Sequence, residues 1–406
     1  MKDPADSTQT ETELDGRIDP ESELPILAMP REGMPPLVDD DALLAECIEA
    51  LGSGTGPVAI DTERAQSFRY SGRAYLLQLR RSGAGTWLID PQAFEPGDGS
   101  VADLGALREA IIDAEWIIHA ANSDLPCLVE LGLLPERLFD TELAGRLLGL
   151  PRVGLGPMTE SYFGVHLLKE HSAADWSKRP LPADWVAYAA LDVELLIELR
   201  ALLWRQLHEE GKWAWAQQEF AHMIDAHRTP PDPPAEPWRH VNGLHTVHSR
   251  RGLALVREIW GERDRLAHDL DRAPGKILPD KAISELAGRI TKESPEVPGM
   301  AQMDTIVGFK RRNARRYRGR WVAAATRVAR MPESELPRLR VPHEGPSHQP
   351  RNWQRTNPDA WRRWQRVRPA MNRLAKALQV PPENLIAPET LRWLAWEPLE
   401  AVNAEH

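Results

Sequence analysis

An apolar stretch that ends in two carboxylates, Val58 to Glu63, constrains the fold of this chain more than any other stretch. Side chains alternate along a β-strand, so Asp61 and Glu63 would leave the end of a buried strand on one face. Two such anions repel each other and are costly to desolvate, and a cation between them relieves both costs. Asp-x-Glu occurs four more times in the chain. The pair alone is therefore also compatible with a solvated strand end, and only other residues of the sequence can distinguish that from a metal site.

The pattern around this stretch predicts a mixed α/β sheet. Three candidate strands, 57–62, 74–80 and 86–90, are joined by short Gly-containing turns and favour an antiparallel meander. Further short strands at 116–119 and 138–140 alternate with helical segments. A meander followed by alternating helices and strands is typical of an α/β domain.

Two further acidic positions follow later elements. Asp124 falls in the first turn of a helix predicted over 123–131, where the helix dipole favours an acid, so capping is an alternative role. Tyr188 and Asp192 are four residues apart in one helix predicted over 182–210 and share a face. Asp192 has apolar neighbours, and a buried acid needs a partner such as a metal ion. The alternative is a surface aspartate beside a core tyrosine.

Together, the four carboxylates and the tyrosine resemble the DEDD-type 3′→5′ exonucleases, in the subgroup with tyrosine in the last motif. The local context resembles the ribonuclease D family within that group. The stretches that carry this resemblance are Asp61-Thr-Glu63, His119-Ala-Ala-Asn-Ser-Asp124, Asp140-Thr-Glu142, and Asp175-Trp-Ser-Lys-Arg-Pro-Leu181 leading into Tyr188 and Asp192. The resemblance implies a ribonuclease H-like exonuclease domain. Arg64 departs from the family, which usually has an apolar or aromatic residue there, so how the terminal base is held stays open.

The resemblance also implies a two-metal site that takes Mg²⁺ or Mn²⁺. Asp61 would bridge both ions, and Glu63 and Asp192 would complete the site that holds the attacking water. Asp124 would support the second ion, partly through water. Tyr188 would orient the water, because an unperturbed tyrosine is a poor general base.

The C-terminal part contains an internal repeat and predicts two all-α domains. Residues 265–287 align without gaps with 373–395 at an offset of 108, with seven identities. Both copies resemble HRDC domains, the small helical modules of helicases and ribonuclease D. The predicted organisation is a disordered acidic tail (1–38), an exonuclease domain (39–226), a Pro-rich linker (227–240), an HRDC domain (241–330), a second linker (331–358) and a second HRDC-like helical domain (359–402).

Charge is distributed unevenly along the chain. The net charge is −10, but residues 1–41 hold 12 acids against three bases, which leaves the remainder close to neutral. Residues 305–331 hold nine Lys or Arg and no acid, a pattern suited to phosphate. An ordinary solvated helix face is the alternative. Tyr317 and Trp321 in this segment are expected to anchor the helix to its core rather than to stack on bases.

Eight residues are predicted to bind substrate. From the basic segment these are Arg311, Arg312, Arg315 and Arg316, and from the exonuclease domain they are Gln78, Lys169, Lys178 and Arg179. Solvated loop charges are the alternative for the last three. His119 is expected to be structural.

Composition limits the class of protein. Two cysteines far apart predict neither a disulfide framework nor a zinc site. The N-terminus does not resemble a secretory signal, and no apolar run approaches the roughly 20 residues that span a bilayer. A cytoplasmic, monomeric protein without a membrane partner is expected.

The function expected is that of a ribonuclease D-like 3′→5′ exoribonuclease that releases nucleoside 5′-monophosphates. Its RNA partner would carry a free 3′ end, as in precursors of transfer RNA and other small stable RNAs. A DNA 3′→5′ exonuclease is one alternative, because the same site serves both polymers. A non-catalytic RNA-binding adaptor is another, but that class would be expected to lack at least one carboxylate.

Overall fold

The computed structural model describes residues 24–168, 171, 173–229, 232–340, 345–347 and 349–397. The chain forms two compact units. The first unit comprises residues up to 64, 73–230 and the residues from 345 onward, and the second unit comprises 65–72 and 231–344. None of the helices in the described part is long and apolar enough to cross a membrane.

The first unit contains the strands of the described chain. They are β1 Ile26–Leu27, β2 Leu37–Val38, β3 Thr55–Arg64, β4 Ala74–Ser82, β5 Gly85–Ile89, β6 Trp116–Ile118, β7 Leu138–Asp140 and β8 His166–Leu167. Six strands form a mixed sheet in the order β2-β5-β4-β3-β6-β7, and β1 pairs with β8 separately. The meander β3-β4-β5 is antiparallel, whereas β3, β6 and β7 run parallel. The predicted meander followed by alternating elements is confirmed.

Helices cover this sheet. They are α1 Asp41–Ser53, α2 Gly105–Ala110, α3 Leu125–Glu130, α4 Thr141–Leu147, α5 Leu155–Phe163, α6 Ala183–Glu194, α7 Leu196–Glu209 and α8 Trp213–Arg228. Helix α6 packs on β3, β4 and β5, and α7 packs on β3 and β6. The centre of β3 is fully buried at Val58, Ala59 and Ile60, which explains why its sequence is continuously apolar.

One helix predicted over 182–210 is two helices in the structure. The break lies at Leu195, whose backbone leaves the helical region. Immediately before it, the Glu194 side chain is fully buried, and its Oε1 lies 2.7 Å from Arg31 Nε. A buried carboxylate needs such a partner. The long apolar stripe could not reveal the break, because the partner lies 163 residues away.

The predicted disordered tail, 1–38, is wrong over its last part. Residues 1–23 lie outside the described residues, but β1 and β2 fall within 24–38 and pair with β8 and β5. Arg31 also binds Glu194 and Glu198, and Glu32 accepts two hydrogen bonds from Arg80. Short apolar pairs among prolines and acids gave too little sequence signal for this ordering.

The second unit is helical. Its helices are α9 Arg250–Asp269, α10 Pro274–Ile277, α11 Asp280–Ala287, α12 Met300–Met303, α13 Val307–Lys310, α14 Arg312–Arg316 and α15 Arg318–Arg330. Residues 65–72, predicted to belong to the exonuclease domain, pack here instead. The Tyr70 hydroxyl donates to Asp264 at 3.1 Å, and the Ser71 backbone N–H donates to Asp271 at 2.9 Å.

The C-terminal helices belong to the first unit. They are α16 Trp353–Thr356, α17 Pro358–Leu378, α18 Pro382–Leu385 and α19 Pro388–Trp396. They form a small core around Trp353, Ala360 and Ala395. The Asn384 side-chain amide donates to the Arg146 carbonyl at 3.2 Å, which connects α18 to α4.

The sequence repeat is also a structural repeat. Helices α10 and α11 begin at 274 and 280, and α18 and α19 begin at 382 and 388, the same offset of 108. Asp271 and Gln379 are both left-handed at equivalent positions, with φ of 41° and 53°. The assignment of both copies to the HRDC fold stays a prediction.

Both predicted linkers, 227–240 and 331–358, are too long. Helix α8 extends to Arg228, and Trp238 is buried in the core of the second unit. Leu336 is buried in that same core, and Trp353 is buried in the C-terminal core. Proline density indicates where regular structure stops, but it does not prevent single apolar side chains from being buried.

Candidate active site

Three carboxylates meet where β3 ends beneath α6. Asp61 and Glu63 leave β3 on one face, and Asp192 comes from the last turn of α6. One carboxylate oxygen from each lies within 4.8 Å of the others. Glu63 is only 8 % exposed, and Asp61 and Asp192 are half-buried. The predicted shared face of the Asp-x-Glu pair is therefore present.

Helix α6 brings its acid to the sheet because its sheet-facing side is small and apolar. Ala189, Ala190 and Val193 are fully buried. Tyr188 lies one turn before Asp192 on the same helix, and its hydroxyl hydrogen-bonds to that carboxylate. The predicted pairing of phenol and carboxylate at a spacing of four is thus found in the structure.

Burial and mutual repulsion dominate the electrostatics of these carboxylates. Burial, with the charges of Asp124, Asp192 and Glu63, raises the pKa of Asp61 well above its usual range. Burial, with Asp192 and Asp124, raises the pKa of Glu63 to about 9. Arg64 opposes both shifts. Without a cation Glu63 therefore holds a proton at neutral pH, and the raised pKa values of Asp61 and Glu63 are the expected behaviour of a site built for added positive charge.

Asp124 lies beside this cluster of three carboxylates but is not one of its members. It begins α3, and its Oδ1 accepts a hydrogen bond from the Thr62 hydroxyl at 2.5 Å. Burial raises the pKa of Asp124 to about 6, and the bond from Thr62 opposes that shift. Cys127 lies below, with its Sγ 3.3 Å from the same hydroxyl, and burial raises the pKa of this thiol to about 11. The Cys127 thiol is therefore uncharged at neutral pH, and its role is packing rather than reactivity.

The donor set fits a hard divalent cation. It consists of carboxylate oxygens alone, close enough together to share one ion. The raised pKa values of Asp61 and Glu63 show that nearby basic side chains do not neutralise these two groups. Oxygen-only sets of this kind suit Mg²⁺ and Mn²⁺ rather than zinc.

The Tyr188 ring packs against two other aromatic rings at this site. Its ring centroid lies 5.8 Å from that of His171 and 6.3 Å from that of Trp176. Burial, followed by the charges of Asp192, Glu63 and Asp61, raises the pKa of Tyr188 above its ordinary value. The phenol therefore stays protonated at neutral pH and can donate a hydrogen bond, but it cannot act as a base.

Two predicted substrate-binding residues do not have that role in the structure. Gln78 pairs with Asp61 across β3 and β4 but is 0 % exposed, so substrate does not reach it. Arg179 binds Asp90 and three backbone carbonyls, which leaves no guanidinium donor for phosphate. Lys178 is exposed and stays a candidate. Lys169 lies outside the described residues.

Two further neighbours have structural partners. His119 Nδ1 lies 2.8 Å from the Thr141 hydroxyl, in agreement with the expected structural role. Arg64 donates from Nη1 to the Ser123 carbonyl, which ties the end of β3 to the turn before Asp124. This contact gives the unusual Arg64 a role in placing Asp124.

The basic segment of the second unit has two kinds of arginine. Arg318 and Arg327 form ion pairs with acids of the same unit, at 2.8 Å to Asp304 and 2.8 Å to Glu262. Four arginines are exposed and form no ion pair with the described residues: Arg311, Arg312, Arg315 and Arg316. Trp321 is buried and donates from its indole to the Ala314 carbonyl at 2.8 Å. The expectation that this tryptophan anchors the helix is confirmed.

Sequence reasoning missed Thr62 and the Arg179–Asp90 pair. Thr62 lies between the two carboxylates of the Asp-x-Glu pair, and strand alternation alone places its side chain on the opposite face of the strand from them. Asp90 is 89 residues from Arg179, so no local pattern connects them.

Comparisons with known proteins show similarity to 3′→5′ exonucleases. Residues 35–208 match a family described as "3'-5' exonuclease", and residues 345–406 match one described as "3' to 5' exonuclease C-terminal domain". A ribonuclease D of Gluconacetobacter diazotrophicus is 31 % identical over 298 residues, which cover 72 % of each chain.

Solved structures support the fold. A protein from Bifidobacterium adolescentis is 39 % identical and has a TM-score of 0.81, covering 93 % of this chain and 92 % of its own. Escherichia coli RNase D has a TM-score of 0.64 at 23 % identity, covering 89 % of this chain and 90 % of its own. The predicted ribonuclease H-like α/β exonuclease fold is confirmed. This chain belongs to the ribonuclease D family of 3′→5′ exonucleases.

Proposed function

We propose that this hydrolytic 3′→5′ exoribonuclease removes nucleotides one at a time from RNA with a free 3′ end, in a reaction that depends on divalent cations. The observation that carries the proposal is the cluster of Asp61, Glu63 and Asp192, whose oxygens lie within 4.8 Å of one another beside a protonated tyrosine. Such a cluster has no stabilising role of its own in the metal-free protein, because burial and mutual repulsion both oppose ionisation of its carboxyl groups.

The four carboxylates would divide between two metal ions. Asp61, Glu63 and Asp192 would hold one Mg²⁺ or Mn²⁺, and Asp61 with Asp124 would hold a second. A bound pair of ions lowers the pKa of the attacking water and neutralises charge on the phosphate. Thr62 restrains Asp124 through its 2.5 Å hydrogen bond, so that this carboxylate keeps one orientation.

Tyr188 contributes orientation rather than proton abstraction. Its hydroxyl bonds to Asp192, and burial keeps it protonated. The phenol proton is donated to Asp192, so the phenol oxygen would accept a hydrogen bond from the attacking water and hold it in line with the scissile bond, while the water loses its other proton to solvent. In-line attack on the terminal phosphodiester with the 3′-oxygen as leaving group releases a nucleoside 5′-monophosphate.

The four exposed arginines of the second unit supply phosphate contacts. Arg311, Arg312, Arg315 and Arg316 lie within six consecutive residues that contain no acid, and they form no ion pair with described residues that would compete with RNA. Contacts of this kind give affinity without sequence choice. A specificity for unpaired 3′ ends suits structured RNAs with short 3′ extensions, such as precursors of transfer RNA.

Identification of the released product tests this proposal. An RNA labelled in its last internucleotide phosphate is incubated with Mg²⁺, with Mn²⁺ or with EDTA, and the label is resolved by thin-layer chromatography. Nucleoside 5′-monophosphate is expected with either ion and none with EDTA. Asp113→Asn is a matched control, because it changes the exposed aspartate of an Asp-x-Glu pair outside the cluster. A 3′-monophosphate, or equal release in EDTA, would refute the proposal.

A further inference from the structure

Arg179 uses all five of its guanidinium N–H donors. Its Nε and Nη2 donate to the two oxygens of Asp90 at 2.5 and 2.6 Å. Nη2 also donates to the Tyr75 carbonyl at 2.8 Å, and Nη1 donates to the carbonyls of Trp176 and Lys178 at 2.8 and 2.7 Å. The side chain is only 28 % exposed. A guanidinium group whose donors are all occupied by protein acceptors has a structural role and does not contact substrate.

The partners of Arg179 lie on the sheet that supports the active site. Tyr75 belongs to β4, and Asp90 directly follows β5. Asp90 is buried and also accepts from the Gln92 backbone N–H at 3.0 Å, so its carboxylate has one fixed orientation. Arg179 therefore holds the segment before α6 against β4 and β5. Helix α6 packs on the same two strands.

Trp176 lies between Arg179 and the Tyr188 phenol, because the Arg179 side chain binds its backbone and the Tyr188 ring packs against its indole. Its indole is fully buried and packs on Trp185 and Tyr188, with ring centroids 5.3 and 6.3 Å apart. The indole N–H has no hydrogen-bond partner among the described residues. The position of this ring is therefore set by packing and by the Trp176 backbone. Arg179 holds that backbone through a hydrogen bond to the Trp176 carbonyl.

We propose that Arg179, paired with Asp90, is a positioning residue that holds the Tyr188 phenol against the attacking water by way of Trp176. The inference rests on the proposed role of Tyr188. Displacement of a positioning group by about 1 Å can reduce a rate by up to 10²-fold. Loss of the Arg179 guanidinium group is therefore expected to reduce kcat. RNA binding should stay unchanged, because Arg179 has no N–H donor left for phosphate.

Kinetics of Arg179→Lys test the proposal. Lysine keeps a positive charge near Asp90 but cannot bind five acceptors at once. We expect kcat on a single-stranded RNA to fall about tenfold, with KM and the Kd for RNA within twofold of the wild type. Arg108→Lys is the matched control, since Arg108 binds Glu109, Glu136 and the Leu134 carbonyl, none of which belongs to the active site. It is expected to keep the wild-type kcat.

A double-mutant cycle with Tyr188→Phe separates positioning from a general structural effect. If Arg179 acts through the phenol hydroxyl, Arg179→Lys should slow the Tyr188→Phe enzyme by less than twofold. The same tenfold loss in both backgrounds would overturn the proposal and leave the proposed function intact. Inactivity of the wild type toward RNA would instead refute the proposed function.

Asp90→Asn provides a second variant that keeps the shape of the partner but removes its charge. It should show the same split between kcat and KM, and thermal melting of each variant monitors folding. A failure of both variants to melt cooperatively would also overturn the proposal, because Arg179 and Asp90 would then maintain the fold rather than place the phenol.

Discussion

Replacing Glu63 with glutamine is expected to stabilise the metal-free protein. The pKa of this carboxyl is about 9 in the folded protein against an ordinary value of 4.5. At pH 7 the unfolded chain carries the charge, whereas the folded site holds the proton. The 2.5 pH units between 4.5 and pH 7, at about 1.4 kcal/mol per unit, give a destabilisation of about 3.5 kcal/mol that glutamine avoids.

The sign of the pH dependence follows from the raised pKa. A folded state that binds a proton more tightly than the unfolded state loses stability as pH rises, here from about 4.5 to about 9. The advantage of the variant should therefore shrink to under about 1 kcal/mol at pH 5. For a unit of this size, about 3.5 kcal/mol at pH 7 corresponds to a rise in Tm of roughly 7–14 °C.

Differential scanning calorimetry in EDTA at pH 5 and pH 7 measures this effect. Glu49→Gln is the control, because it removes a carboxylate from the exposed side of α1. Addition of Mg²⁺ or Mn²⁺ should raise the Tm of the wild type and should raise that of Glu63→Gln much less, since the variant has lost a ligand. A variant that is no more stable than the wild type at pH 7 in EDTA would refute the repulsion argument.

Three further outcomes are expected from the same structure. Asp61→Asn should reduce hydrolysis by at least about 10³-fold, while RNA affinity in a filter-binding assay stays within a few-fold; retained activity would refute the metal-site assignment. Tyr188→Phe should lower kcat by about 10- to 100-fold without changing the Mg²⁺ concentration that gives half-maximal rate, and a wild-type rate would show that the hydroxyl is not needed. Neutralising the exposed arginines should reduce the slope of log K against log salt by up to about 3, given about 0.7 per phosphate contact on single strands. The variant changes Arg311, Arg312, Arg315 and Arg316, and the control removes four exposed charges from α16 and α17 at Arg355, Arg366, Arg373 and Lys376. An equal effect of both would show that net charge, and not this surface, governs binding.

The active-site residues that local periodicity connects could be predicted from the sequence. Strand alternation places Asp61 with Glu63, and a helical spacing of four places Tyr188 with Asp192. The repeat at an offset of 108 likewise predicted equivalent helices. These relations depend only on backbone geometry, which neighbouring residues determine.

Relations between distant segments could not be predicted in this way. The bond from Thr62 to Asp124, the pair of Arg179 with Asp90, and the pair of Arg31 with Glu194 join residues 62 to 163 positions apart. No periodicity connects such pairs, and each depends on how whole elements pack. Arg179 was expected to bind phosphate because a loop arginine near an active site often does, but its partners occupy every donor.

Gel analysis of 5′-labelled substrates tests the central claim most directly. A transfer RNA with a few extra 3′ nucleotides and a single-stranded DNA of matched length are incubated with enzyme and Mg²⁺ or EDTA. We expect the RNA to shorten in single-nucleotide steps from its 3′ end, to stall near the mature terminus, and to stay intact in EDTA or with Asp61→Asn. Degradation of DNA at an equal or higher rate, or RNA shortening that persists in EDTA, would contradict the assignment of a cation-dependent exoribonuclease.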